Sequence, residues 1–157
     1  MLVATALLAL LALLAASAAI AQEKGREDES DAKAIDDPMN VFKGIELAWQ
    51  KGNAQQIADL GSASQIYIEL KGIDRRGAYF TKPQVAYLFK KMFESTSELT
   101  FQFTKFRNME NPDRRVYGVA HRQYKNVRRG GIFEDTVYVT LVKEEARWVV
   151  AEIKSTW

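Results

Sequence analysis

Between Asp37 and Leu60 the hydrophobic positions recur with helical spacing. Asp37 followed by Pro38 is typical of an N-cap and a first helical residue, and the apolar positions after them predict an amphipathic helix that ends at Gly52. A second, short helix is predicted over 53–60, with Asn53 as its cap. The apolar positions of the first helix are Val41, Phe42, Ile45, Ala48 and Trp49.

A strand and a third helix follow. Residues 65–70 alternate between apolar and polar side chains, which predicts a half-buried strand. The segment 81–84, Thr-Lys-Pro-Gln, has the pattern of a capping box, in which Thr81 and Gln84 satisfy each other's free backbone N–H groups. The helix after this cap carries an apolar stripe of Val85, Leu88, Phe89, Met92 and Phe93.

After the third helix the hydrophobic period becomes that of β-strands. Turn-forming residues divide this part of the chain into segments of strand length. The predicted strands lie near 98–107, 115–125, 132–142 and 147–155.

The loop lengths predict how these strands pair. A four-residue loop at 127–130 places Arg122 opposite Asp135 and gives the hairpin one apolar face with a single ion pair on it. A three-residue loop at 144–146 extends that face into the last strand. The residues that this second register turns inward are Val149, Ala151 and Ile153.

The N-terminal segment has the pattern of an export signal. Residues 2–21 contain no charged residue and end in Ala19-Ile20-Ala21, which fits the small-residue site of a signal peptidase. We expect a signal peptide over 1–21, cleaved after Ala21, and hence a periplasmic or secreted protein; the alternative is an uncleaved membrane anchor. Residues 22–37 hold seven acidic and three basic side chains with few apolar ones, which predicts a disordered acidic linker before a domain over 38–157.

Composition excludes several classes of site. The chain has no cysteine, so it can form neither a disulfide framework nor a thiolate metal site. It has a single histidine, His121, which excludes a multi-histidine metal site. His121 is predicted on the outward face, beside Thr136. No phosphate-binding glycine loop or nucleophile motif is present. We therefore assign no metal, no cofactor and no catalytic residue.

The order of these elements resembles the nuclear transport factor 2-like superfamily. The resemblance rests on VFKGIELAWQKGNAQQIADL, TKPQVAYLFKKMF and the closing RWVVAEIKSTW, and it is strongest to exported bacterial members of unknown function. It implies an α+β fold in which N-terminal helices pack on a strongly curved, mostly antiparallel sheet. It also implies a pocket inside the resulting cone and frequent dimers. Catalysis is optional in that superfamily, and no catalytic residue maps onto this sequence.

The inner face supplies the candidate ligand pocket. Arg122 and Asp135 could orient a polar ligand there, although an ordinary cross-strand salt bridge explains the same pair. Aromatic residues could line the cavity, although such residues at core spacing usually fill the core. The candidate pocket residues are Arg122, Asp135, Trp49, Phe89, Phe101 and Phe103.

The outer face of the sheet is unusually apolar for a solvated face. We expect a homodimer through it, or else coverage by the helices or by Trp157. The candidate dimer residues are Tyr117, Val119, Tyr138, Trp148 and Val150.

A basic set is expected on loops at one end of the sheet; it could meet phosphate, an acidic glycan or a membrane surface, but its simplest explanation is solvation of the hairpin ends. A net charge of +2 is too small to demand a polyanionic partner, so no nucleic acid is expected, and a membrane is expected only through the signal segment if that stays uncleaved. The basic residues are Arg107, Arg114, Arg115, Lys125, Arg128 and Arg129.

These features favour an exported, noncatalytic module that binds a small apolar or amphipathic ligand or a protein partner. The alternative is an isomerase, dehydratase or hydrolase that uses the cone pocket, with Asp135 as the inner carboxylate to test. A purely structural or assembly protein is the third class.

Overall fold

The computed structural model describes residues 37–111 and 115–156. The predicted signal peptide and almost all of the predicted linker lie outside these residues. The sheet order is β2-β1-β6-β5-β4-β3, with β1 and β6 parallel and the other pairs antiparallel. The elements are α1 (Pro38–Gln50), α2 (Ala54–Asp59), β1 (Ile66–Leu70), β2 (Asp74–Phe80), α3 (Lys82–Ser95), β3 (Thr96–Arg107), β4 (Val116–Asn126), β5 (Ile132–Glu144) and β6 (Arg147–Thr156).

Side-chain caps begin all three helices of the described residues, as the sequence predicts. The Asp37 carboxylate accepts from Met39 N–H at 2.8 Å, and the Asn53 side chain accepts from Gln56 N–H at 3.1 Å. At α3, the Gln84 amide oxygen accepts from Thr81 N–H at 2.9 Å. Each bond satisfies a backbone N–H group that a helix start leaves without a partner. The described part of the chain contains no helix long and apolar enough to cross a membrane.

The inner face of the sheet, which we define as the face turned toward α1 and α3, carries the core. At Gly118 this face lies against aromatic rings: a Cβ there would lie 2.5 Å from the Phe42 ring and 2.7 Å from the Phe103 ring. The missing side chain therefore lets two aromatic rings pack directly on the β4 backbone.

The predicted register of the β4–β5 hairpin is confirmed at every pair. Arg122 lies opposite Asp135, Ala120 opposite Val137, and the alternation continues to the end of the ladder. This register places Arg122 and Asp135 on the inner face and His121 on the outer face beside Thr136. Side-chain alternation and loop length sufficed here because β4 is paired to β5 without a bulge.

The predicted register of β6 is wrong. The turn has two residues, Glu145 and Ala146, and Glu145 adopts a positive φ of 55°. This turn places Trp148 opposite Lys143 and Val150 opposite Leu141; a bulge between Thr140 and Leu141 then shifts the register again, so that Ile153 lies opposite Val139. As a result Trp148 and Val150 are 3% and 0% exposed in the core, rather than on the outer face, while Val149 and Ala151 are half-buried.

One strand was not predicted. β2 contains two arginines and a glycine and shows no alternation, because it is an edge strand of the sheet and three of its seven residues are exposed. At Gly77 the Tyr67 side chain crosses the backbone in the space that a Cβ would occupy. Gly77 has a positive φ of 74°, which glycine adopts without strain.

The predicted basic set is divided between opposite ends of the sheet. Arg107 and Arg115 lie where β3 ends and β4 begins, whereas Lys125, Arg128 and Arg129 lie at the β4–β5 hairpin. An eleven-residue strand separates the two groups, so they do not form one patch. The remaining member, at position 114, lies outside the described residues.

Candidate functional site

A buried arginine lies at the centre of the inner face. The Arg122 side chain is 0% exposed, and it donates from Nε to Glu98 Oε2 at 2.9 Å and from Nη2 to Glu98 Oε1 at 2.6 Å. The Glu98 side chain is itself 6% exposed. Two parallel charge-assisted bonds of this kind fix the plane of the guanidinium.

Asp135 is a second buried carboxylate beside the same guanidinium. Its Oδ2 lies 3.6 Å from Arg122 Nη1, which is beyond hydrogen-bond distance, and its side chain is 1% exposed. Four buried atoms at this site have no hydrogen-bond partner in the described chain: Arg122 Nη1, both Asp135 oxygens and Trp49 Nε1. A buried polar group without a partner costs about 1–3 kcal/mol, so native proteins rarely leave several together.

The charges of this polar cluster, which we define as Arg122, Glu98, Asp135 and Trp49, do not balance. One guanidinium faces two carboxylates. Burial raises the pKa of Asp135, and the neighbouring cations Arg122 and Lys71 oppose that shift only in part. Asp135 is thus the member of the cluster that can hold a proton or take a hydrogen-bond donor from outside the chain.

Aromatic rings surround the guanidinium. Its central carbon lies 4.1 Å from the centre of the Tyr124 ring and 5.5 Å from that of Trp49. Both distances fit cation–π contacts. Arg122 Nη2 also lies 3.5 Å from Met92 Sδ, so apolar groups contact the guanidinium where the carboxylates of Glu98 and Asp135 do not.

The predicted pocket residues therefore fall into two groups. Trp49 and Phe101 stack at 4.1 Å between ring centres, and Phe101 meets Phe103 edge to face at 5.6 Å. The Phe89 ring contacts the Trp49 ring edge to face, with 5.2 Å between the ring centres. These phenylalanines fill space in the core and leave no room between their rings, whereas Arg122, Asp135 and Trp49 Nε1 provide the polar atoms of the site.

Glu98 is the site residue that the sequence did not indicate. Phe101 and Phe103 face inward, so simple alternation would turn Glu98 outward. A bulge between Glu98 and Thr100 reverses the alternation and brings Glu98 opposite Tyr124 on the inner face. No residue in this part of β3 is typical of a bulge, so the pattern of apolar residues gives no sign of it.

The outer face carries a separate surface depression of about 560 Å³. Three predicted dimer residues line it, and two of them, Tyr117 and Tyr138, are 38% and 42% exposed. Trp148 and Val150, the other two predicted members of that face, are in the core. The residues that line the depression are Arg107, Asn108, Tyr117, Val119 and Tyr138.

The arrangement of helices and sheet is that of known proteins. The sequence matches no family model and no curated protein. Solved structures do match: a DUF4783 family protein from Bacteroides uniformis has a TM-score of 0.58 at 13% identity, over 72% of this chain and 93% of that one. A Shewanella oneidensis NTF-2-like protein of unknown function has a TM-score of 0.52 at 17% identity, over 76% of this chain and 96% of that one.

A third similar structure was solved with a small molecule. It is a protein from Catenulispora acidiphila with a ketosteroid isomerase-like fold, in complex with trimethylamine, with a TM-score of 0.58 at 13% identity over 74% of this chain and 84% of that one. Together these structures show that the chain has the nuclear transport factor 2-like α+β fold, which confirms the resemblance seen in the sequence. Identities this low establish the fold alone.

Proposed function

We propose that the chain is a noncatalytic binding module whose polar cluster holds a small amphipathic ligand. The observation that carries this proposal is the group of four buried polar atoms without partners at Arg122, Asp135 and Trp49. A fold that served only to pack its core would gain stability by replacing these groups with apolar ones. Their presence is explained if a molecule outside the chain completes their hydrogen bonds.

The unpaired atoms define the chemistry of that ligand. Arg122 Nη1 and Trp49 Nε1 are donors and need an acceptor, whereas Asp135 offers two acceptor oxygens to a donor. A hydroxyl, carboxamide or protonated amine beside an oxygen acceptor satisfies both requirements. The rings of Trp49 and Tyr124 beside the guanidinium would contact the apolar part of the same molecule.

Native mass spectrometry of the protein as purified tests this proposal. We expect a bound mass on the wild-type chain, and at least about tenfold weaker retention in Asp135→Asn, because the amide offers a donor where the ligand needs an acceptor. Glu134→Gln is the matched control, since Glu134 is the adjacent carboxylate but is exposed on the outer face. No bound mass on the wild type, or equal retention in all three proteins, would contradict the proposal.

One observation favours an enzyme as the second candidate. A buried carboxylic acid with a raised pKa beside a guanidinium can act as a general acid or base. If Asp135 has this role, the molecule released from wild-type protein will be chemically changed relative to the one released from Asp135→Asn. If both proteins release the same compound, the noncatalytic proposal stands.

We also propose that the outer face forms a homodimer. The exposed tyrosines Tyr117 and Tyr138 and the half-buried Val119 would contact the same face of a second copy. Light scattering should then give the mass of a dimer for the wild type and of a monomer for Tyr138→Lys combined with Val119→Glu. A monomeric wild type would refute the dimer.

Export to the periplasm or the medium completes the proposed function. It rests on the apolar segment 2–21 and its Ala19-Ile20-Ala21 end. N-terminal sequencing of the mature protein should begin at Gln22. Recovery of the full-length chain from the inner membrane would support an uncleaved anchor instead.

A further inference from the structure

The β4–β5 hairpin combines cations with exposed aliphatic side chains. The hairpin tip, which we define as residues 125–132, has three basic residues and no acidic one. Within it Val127 and Ile132 are 62% and 63% exposed, which places them among the most exposed large hydrophobic residues of the described chain. Exposed aliphatic residues are common singly, but two on one basic turn call for an explanation.

The backbone of the tip is fixed by hydrogen bonds. Asn126 Oδ1 accepts from the N–H groups of Arg128 and Arg129 at 3.0 and 2.9 Å, and Gly130 N–H donates to Asn126 O at 2.9 Å. Val127 N–H donates to Ser95 O at 3.1 Å, which attaches the tip to the end of α3. The side chains of Val127 and Ile132 are thus held in water by an ordered turn.

The surroundings of the tip contain both signs of charge, and the two exposed carboxylates that flank it have partners: Glu94 pairs with Lys91 at 2.9 Å, and Glu134 accepts from Gln123 Nε2 at 2.7 Å. The Lys71 ammonium lies 5.5 Å from the centre of the Phe133 ring, so the β1–β2 turn is next to the hairpin. The nearby carboxylates Glu98 and Asp135 are buried on the inner face beside Arg122. Their negative charge is therefore shielded from an approaching surface, while Arg128 and Arg129 remain exposed.

We propose that the hairpin tip docks on an anionic lipid bilayer. Val127 and Ile132 enter the interface between headgroups and acyl chains, and Lys125, Arg128 and Arg129 contact lipid phosphates. Nucleic acid or another soluble polyanion would use the cations but would have no use for two aliphatic side chains, and the tip offers no aromatic ring for base stacking. The sequence alone suggested solvation of this loop; the exposure of Val127 and Ile132 distinguishes a membrane contact from that.

Co-sedimentation of the full chain with vesicles tests this proposal. The vesicles contain phosphatidylcholine alone or about three parts of it to one part of phosphatidylglycerol. The segment 2–21 and the acidic linker 22–37 are the same in every variant, so the difference between a tip variant and the wild type on anionic vesicles isolates the tip. Arg128→Gln with Arg129→Gln should lower binding to anionic vesicles about 25-fold, at roughly fivefold per cation.

The aliphatic side chains are tested separately. Val127→Ser with Ile132→Ser should lower binding to anionic vesicles about tenfold without affecting the fold, because both side chains are mostly in water. The matched control, Arg115→Gln with Arg147→Gln, removes the same charge from exposed positions at the opposite end of the sheet and should bind as the wild type does. The proposal would be overturned if the wild type bound both kinds of vesicle equally, or if the serine pair had no effect on binding. It would also be overturned if soluble polyphosphate bound the tip as well as anionic vesicles do.

Discussion

The inner face of the sheet contains two neighbouring regions with opposite chemistry. In the aromatic region the rings contact one another: the ring centres of Trp49 and Phe101 lie 4.1 Å apart, and those of Phe42 and Phe103 lie 4.9 Å apart. In the polar cluster Arg122 is equally buried, but it and Asp135 retain polar atoms without a partner. The chain completes the first region by itself and leaves the second incomplete. The aromatic region therefore supports the fold, and the polar cluster is the region that we propose to bind a ligand.

The largest effect is expected from Arg122→Met. Removing the guanidinium leaves Glu98 and Asp135 buried without a cation, which should lower the free energy of unfolding by about 3–5 kcal/mol. The control is the triple change Arg122→Met, Glu98→Leu and Asp135→Leu, which removes all three charges and should recover most of the loss. Urea denaturation measures both. A triple variant as unstable as the single one would mean that shape, not charge, governs this region.

A smaller effect is expected in the aromatic region. Phe89→Leu removes the edge-to-face contact with Trp49 at 5.2 Å and should lower the free energy of unfolding by about 1–2 kcal/mol. The bound mass seen by native mass spectrometry should persist in this variant, because Phe89 contributes no polar atom to the site. Loss of the bound molecule at unchanged stability would show that the two regions are not separate.

The smallest effect, and the most specific, is the pH dependence of Asp135→Asn. Because burial raises the pKa of Asp135 above its ordinary value of 3.8, the neutral form is the one that the fold favours. The contribution of this group to stability is therefore full below that ordinary value and is lost as pH rises through the higher folded pKa.

This sign gives a measurable comparison between the two proteins. Wild type and Asp135→Asn should unfold at similar temperatures near about pH 3, and the variant should become the more stable of the two as pH rises toward neutrality. Thermal melts across that range, with Glu134→Gln as the exposed control, measure the difference. If the unfolding temperature of the wild type instead rises relative to that of Asp135→Asn as pH increases, Arg122 holds Asp135 ionised.

The sequence predicted the fold well where local signals and periodicity agree. All three helix starts carry capping residues, and the unbulged β4–β5 ladder follows from its loop and its alternation. Arg122 and Asp135 could be paired on the inner face for this reason. The resemblance to the nuclear transport factor 2-like fold rests on the helices and the closing strand, and solved structures confirmed it.

The errors arose at irregular backbone. The turn at Glu145 has two residues rather than three and adopts a positive φ without a glycine, so the predicted register assigned Trp148 and Val150 to the wrong face. A bulge in β3 likewise hid Glu98, the closest partner of Arg122. Bulges depend on how two strands fit together, which a pattern along one strand does not contain. The sequence thus predicted the cation of the candidate site, Arg122, and one of its carboxylates, Asp135. It did not predict the main ion pair, which Arg122 forms with Glu98.

A crystal structure of the protein as purified, at a resolution that separates ordered water from organic density, tests the central claim most directly. We predict a non-protein molecule within hydrogen-bond distance of Asp135 and of Arg122 Nη1, with its apolar part against Trp49 or Tyr124. Water alone at these atoms, or an Asp135 side chain bonded directly to Arg122 with no space beside it, would contradict the claim that the polar cluster is a ligand site.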